Sequence, residues 1–333
     1  MQKNQRSVDK VRASRDGHEY HEAWTARRAM QLLLPDSALT AIAVEGISPR
    51  DKPRASAETA EIADIVLYYG DTAFEGSDRT TISQFKYSVA DKKADFRASH
   101  AKKTIEKFAK TYRDYIAKYG AQAVQATLDF ELITNRPIYG PLQQAVEALA
   151  TGAPQTGEVA RQAKQLKAAS GLDGASLAAF AAKLKLVGLS GSLSANKNEL
   201  AGLIIDWSWN SDPLAGSRLG QLRQMVRDKA GDAGAQDNLI RRTDILAVLH
   251  ISDADDLLPC KSAIPDPGSI VEREQLSSAL DEIERLSIPL LVHAAGGVGK
   301  TVFMDSLANA LGKSKEVVFF DCFGGGAYRG PTV

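Results

Sequence analysis

The chain has 333 residues, 44% hydrophobic and 25% charged, an ordinary globular balance with length for two or three domains. Lys and Arg number 41, as do Asp and Glu, so the formal net charge is zero and overall charge gives no sign of a nucleic-acid partner. Cys260 and Cys322 lie far apart without metal-ligand spacing, the charged N-terminus lacks the apolar core of a signal peptide, and no apolar run approaches a membrane span. A reducing, cytoplasmic setting without a membrane is therefore expected.

Residues 19–34 carry Trp24, Ala26, Met30, Leu33 and Leu34 near helical spacing, and Pro35 should stop that helix. A short strand is expected at 40–44, ending at Glu45-Gly46. Segments 62–69 and 80–87 read as paired strands joined by a polar Gly/Asp turn. An amphipathic helix over 97–119 has an apolar stripe of Ala101, Ile105, Phe108, Tyr112, Tyr115 and Tyr119. Strand 128–134 follows, completing a helix, three strands, a helix and a strand within about 140 residues.

Four residues of this unit fall in a suggestive order: Glu45, Asp64, Gln84 and Lys86. Gln84 and Lys86 flank Phe85 in one strand and so share a face. Cleavage of a phosphodiester needs oxygen ligands for a hard cation and a positive group near the attacking water. Glu45 and Asp64 can hold Mg²⁺, Gln84 offers a neutral amide oxygen, and Lys86 can orient or help deprotonate the water. The neighbourhood is basic: from Lys86 to Lys118 there are ten Lys/Arg against four Asp/Glu, a local net of +6. Lys103, Lys107, Lys110 and Lys118 lie opposite the apolar stripe, where they can contact DNA phosphates without reading sequence. A row of lysines is also how an ordinary solvated helix face looks. His18, Tyr20 and His21 can approach the site, although such clusters more often cap or pack a helix; Arg27 and Arg28 read as surface or ion-pair residues.

Asp64, a gap of twenty, then Gln84-Phe85-Lys86, with Glu45 upstream, resembles the PD-(D/E)xK restriction-endonuclease-like fold. The variant is the Q-x-K form of Mrr-like nucleases and of nuclease effectors in bacterial antiphage systems. Ala63 stands where the motif has Pro, and Gln84 replaces its acidic residue. The resemblance implies a nuclease domain over residues 1–140.

Residues 141–258 are Ala- and Leu-rich and read as a mainly helical connector, interrupted by the two-Trp segment 206–211 and a small-residue break at 231–236. A Pro-rich linker, 258–269, leads to a helix over 270–286. Residues 289–301 then run from an apolar strand into Ala294-Ala-Gly-Gly-Val-Gly-Lys-Thr301, a phosphate-binding loop with Ala for its first Gly. Gly296, Gly297, Val298 and Gly299 give backbone N–H groups for the phosphates, Lys300 reaches the β- and γ-phosphates, and Thr301 joins the Mg²⁺ shell. A helix over 302–311 presents its positive end, and a strand at 316–322 ends in Asp321. The chain ends 32 residues after Thr301, so an incomplete nucleotide domain, 259–333, is expected.

Residues 295–301, Val-Glu-Arg-Glu at 271–274 and Phe-Asp-Cys-Phe-Gly-Gly-Gly-Ala-Tyr-Arg at 320–329 resemble STAND-type, NLR-like P-loop NTPases. That resemblance places Arg273 near the adenine of ATP. It also implies a trigger of phage origin sensed by a further region, and homo-oligomerisation on activation. The expected protein is thus of α/β class throughout: a restriction-endonuclease-like nuclease effector, a helical connector and the start of a P-loop NTPase. The alternatives are a modification-dependent restriction enzyme whose NTPase moves or gates DNA, and an ATP-driven scaffold whose nuclease fold only binds.

Overall fold

In the computed structural model the first unit is built on a mixed six-stranded sheet in the order β5-β4-β3-β2-β1-β6. The structure describes residues 2–34, 37–52, 63–207, 215–251, 268, 270–271, 273–285, 289–315 and 317. They belong to two compact units, residues 1–254 and 255–333.

Helix α1 (Gln2–Ala29) runs into a 3-10 turn, Met30–Leu33. It starts 17 residues before the position expected from apolar spacing, because the polar stretch ahead of Glu19 holds no proline to stop it. Strands β1 (Leu39–Val44), β2 (Ile65–Tyr69) and β3 (Arg79–Lys86) form an antiparallel set. Ile62, expected inside β2, lies outside the described residues. Helix α2 (Ala98–Tyr119) and the short α3 (Ala121–Thr127) then carry the chain over to β4 (Leu128–Thr134), parallel to β3. Gly120 ends α2 at a φ of +84°, a conformation that a side chain would strain.

The expected stripe of α2 is the buried face. Ala101, Ile105, Phe108, Tyr112 and Tyr115 are 3% exposed or less and pack on Val66, Ile82 and Phe130 of the sheet. Each large side chain among them contributes roughly 1.5–3 kcal/mol by leaving water. Helices α4 (Gly140–Thr151), α5 (Gly157–Ser170) and α6 (Gly174–Ala181) extend the same core through Leu142, Leu166 and Phe180. On the other face α1 packs with α7 (Leu193–Trp207) and α8 (Ala215–Ala230).

The region read as a connector does more than connect. Residues 184–187 form β5, parallel to β4, and residues 239–240 form β6, antiparallel to β1, so both edges of the sheet come from it. Helix α9 (Arg242–Leu249) closes this unit. Asp206 and Trp207 end α7, while 208–211 of the two-Trp segment lie outside the described residues, as do the linker 258–267, the strand 316–322 with Asp321 apart from Val317, and 320–329. Among the described residues no helix is long and apolar enough to cross a membrane.

In the second unit α10 (Glu274–Arg285) and α11 (Lys300–Leu311) pack together. The strand expected at 290–293 forms no ladder among the described residues. Its would-be neighbour, 316–322, is outside them except for Val317, and an unpaired segment has nothing to hold it as a strand.

Candidate functional site

Strand register assembles the site. Val44 pairs with Ile65 and Ile65 with Ser83, so one step further along the three strands Glu45, Asp64 and Gln84 fall in one row. The Glu45 N–H donates to the Asp64 carbonyl at 2.9 Å, which fixes the first pair. Side chains alternate along a strand, so this row and Lys86, two residues past Gln84, rise from the face that α2 covers. The register thus sets Glu45, Asp64 and Gln84 side by side, with Lys86 on the same face.

Each is held by identifiable contacts. The Phe85 N–H donates to Asp64 Oδ2 at 2.6 Å, which orients the carboxylate and leaves it further lone pairs. Glu45 sits in the left-handed region at φ 49°, costly for a residue with a side chain and common where chemistry needs the placement. Buried Asn238 clamps that bend: its Nδ2 donates to the Val44 carbonyl at 2.8 Å and the Ile47 carbonyl at 3.3 Å. The carbonyl of Lys86 accepts from Thr134 Oγ1 at 2.7 Å, and Asn135 bonds both the N–H and the carbonyl of Ser88 just beyond.

A fifth side chain enters from α1. Tyr20 stacks on Tyr87, Trp24 meets Phe85 edge-on, and the His21 ring lies 4.6 Å from that of Phe85. This aromatic seat carries His21 to the strand ends. Ligand atoms of His21, Glu45 and Asp64 lie within 4.8 Å of one another. The sequence raised His21 beside the commoner packing role, and here it does both. The available signal was helical spacing, which sets His21 one turn before buried Trp24.

The electrostatics are those of half-buried charges brought close together. Withdrawal from water and the Asp64 carboxylate push the Glu45 carboxyl up to about 7. Burial lowers Lys86, as do the charges of Lys107 and Lys103, while Asp64 acts in the opposite sense. Burial likewise lowers His21, favouring the neutral imidazole that can bind a metal. Glu45 holds its proton more tightly in the folded protein than in the unfolded chain, where the value is near 4.5. The stability this contributes is full below pH 4.5 and is lost as pH rises through about 7. Since the residue keeps solvent contact, about 1 kcal/mol is expected to disappear between pH 5 and 8 in metal-free protein. Glu45→Gln should flatten that dependence, as urea unfolding at the two pH values would report.

Whether the residues suit a divalent cation is tested by Gln84. It is 9% exposed, and its Oε1 is buried without a hydrogen-bond partner among the described residues. A buried carbonyl oxygen without a donor costs roughly 1–3 kcal/mol, and a bound cation would remove that cost. The donor set fits.

The lysines of α2 divide. Lys103 and Lys107 are exposed and close enough to Lys86 to lower it. Lys110 is half-buried. Lys118 lies over the Tyr119 ring at 4.4 Å and near Asp51, some 22 Å along the helix from Lys103 at 1.5 Å per residue. The expected row of four is therefore two residues beside the site and two further away. Arg27 pairs with Glu199, as an ion-pair role requires, whereas the part-buried Arg28 Nη2 donates to the Tyr69 hydroxyl at 2.9 Å.

In the second unit the loop 294–299 turns into the start of α11. Gly297 and Gly299 have φ of 77° and 85°, and the helix begins at Lys300 rather than Val302. Lys300 Nζ donates to the carbonyls of Ala294 and Ala295, each at 2.8 Å. Arg273 donates to the Val298 carbonyl at 2.7 Å. Gly296, Val298 and Thr301 lie in the same turn and first helical residues.

No protein-family model and no curated protein matches the sequence. Among solved structures the chain is similar to the Moraxella osloensis Cap4 SAVED/CARF-domain containing receptor, at 15% identity and a TM-score of 0.40, covering 70% of this chain and 46% of that one. It is also similar to the Acinetobacter baumannii Cap4 receptor of the same description, at 15% identity and a TM-score of 0.37, over 68% and 44%. The latter is also known with the cyclic trinucleotide 3'3'3'-cAAA. The chain spans less than half the length of these receptors.

Proposed function

We propose that Glu45, Asp64, Gln84 and Lys86 form the active centre of a Mg²⁺-dependent DNA endonuclease. The observation that carries this reading is the cross-strand row of two carboxylates and a buried, unpartnered amide oxygen, with a lysine two residues on. Glu45, Asp64 and Gln84 would hold the cation, which when bound would polarise the phosphate and acidify water. The Lys86 ammonium would orient the attacking water and offset charge growing on the phosphate oxygens. Lys103 and Lys107 would hold the flanking backbone.

The wider role rests on the sequence resemblances. The endonuclease would be the effector of an antiphage defence protein, with ATP and Mg²⁺ bound by Gly296–Thr301 and Arg273. Nucleotide-driven assembly of copies, set off by a phage-derived trigger, would bring nuclease units together on DNA. The positive-φ glycines ahead of α11 are what a phosphate-wrapping loop requires.

Purified protein incubated with linear and circular DNA, in Mg²⁺ or EDTA, tests the core of the proposal. Nicked or linear product in Mg²⁺ and none in EDTA is expected. Binding without cleavage under every metal condition would instead favour the scaffold.

A further inference from the structure

Magnesium favours a shell made wholly of oxygen and keeps much of its water. The ligand atoms brought together here include an imidazole nitrogen. We propose that His21 is a metal ligand and that this site takes a first-row transition cation, of which Mn²⁺ is the usable probe, more tightly than Mg²⁺. The inference rests on the reading of Glu45 and Asp64 as a cation site and concerns which cation and which third side chain.

Three observations converge on it. The candidate donor atoms of His21, Glu45 and Asp64 lie within 4.8 Å of one another. Around one ion with bonds of roughly 2.1 Å, neighbouring donors sit about 3.0–3.4 Å apart and opposite ones about 4.2 Å, so side-chain movements of about 1 Å would close the shell. His21 is half-buried and makes no hydrogen bond to another described residue, which leaves its ring nitrogens available to an ion. Gln84, nine-tenths buried with a partnerless Oε1, rises beside Asp64 and offers a fourth donor.

The ring is also pre-oriented. Phe85 lies against it, His18 is edge-on at 6.4 Å, and Tyr20 and Trp24 bury the helix on either side. A ligand already held by packing loses little conformational freedom on binding. Imidazole nitrogen suits first-row transition cations, and their affinity for such a site rises from Mn²⁺ towards Cu²⁺. Nitrogen adds much less for Mg²⁺. One nitrogen in the shell should therefore separate the two cations.

The experiment uses the full chain and three proteins: wild type, His21→Phe, which keeps a ring on Phe85 but has no nitrogen, and Asp64→Asn. Mn²⁺ binding is followed by loss of the free-ion electron paramagnetic resonance signal, Mg²⁺ by calorimetry. The bound Mn²⁺ is examined for nitrogen coupling by electron spin-echo modulation. His21→Phe should weaken Mn²⁺ at least about tenfold, leave Mg²⁺ within about twofold and abolish the nitrogen coupling. Unchanged Mn²⁺ affinity in a His21→Phe protein with wild-type melting, or no nitrogen coupling in the wild type, would overturn the role of His21. Asp64→Asn should weaken both ions. If it weakens neither, the cation site itself is misplaced; if it weakens both while His21→Phe weakens neither, only the His21 inference fails.

Discussion

Lys86→Ala should lower DNA cleavage about a thousandfold while changing DNA affinity by no more than about twofold. Lys86 is half-buried, close to Asp64 and held at its carbonyl by Thr134. Its cation is confined to the point where charge would build on the phosphate, and an interaction made chiefly in the transition state affects rate more than binding. Affinity should reside instead in Lys103 and Lys107, exposed on α2 and, among the described residues, without ion pairs. Changing both to Gln should weaken binding and reduce the log-log salt slope by up to about one unit per lost contact. A cleavage gel paired with titrations at two salt concentrations separates the effects. A Lys86→Ala protein that cuts at the wild-type rate would remove Lys86 from the mechanism, and the enzymatic reading would lose its strongest residue.

The central sheet was legible where short-range patterns carry the information. β-rich composition marked β2 and β3, the polar turn between them implied pairing, and a stripe at steps of three and four gave the face of α2. Gln84 and Lys86 could be set on one face because their separation is two. Asp64 and Glu45 needed more, since their alignment depends on register across three strands, and the turn alone does not fix it. The sheet edges were hidden for another reason. β6 is two residues long and pairs with a strand almost 200 residues earlier, and β5 has four residues between helices. Neither is long enough to show a period. Glu22 carries no sequence signal, because an ion pair formed across the fold leaves no local trace.

That glutamate carries the second large effect. Glu22 is 8% exposed on α1 and accepts from Arg223 Nη2 at 2.9 Å and from Arg227 Nε and Nη2 at 2.8 and 2.9 Å. Charge-assisted bonds to a carboxylate with so little water around it are strong individually, and removing the shared acceptor leaves Arg223, only 15% exposed at its side chain, with Glu19 at 3.2 Å as its remaining carboxylate. Glu22→Ala should therefore cost about 2 kcal/mol, seen as a fall in Tm of roughly 4–8 °C for a unit of this size. Glu22→Gln, which keeps an acceptor without the charge, should recover part of it. The loss reaches the site through α1, because His21 is the neighbouring residue and Tyr20 and Trp24 seat the same turn on Tyr87 and Phe85. Melting of Glu22→Ala, Arg227→Ala and the double variant measures the coupling directly. Additive losses would mean that Glu22 and Arg227 act independently, and the polar tie between α1 and α8 would then run through Arg223, which reaches both Glu19 and Glu22.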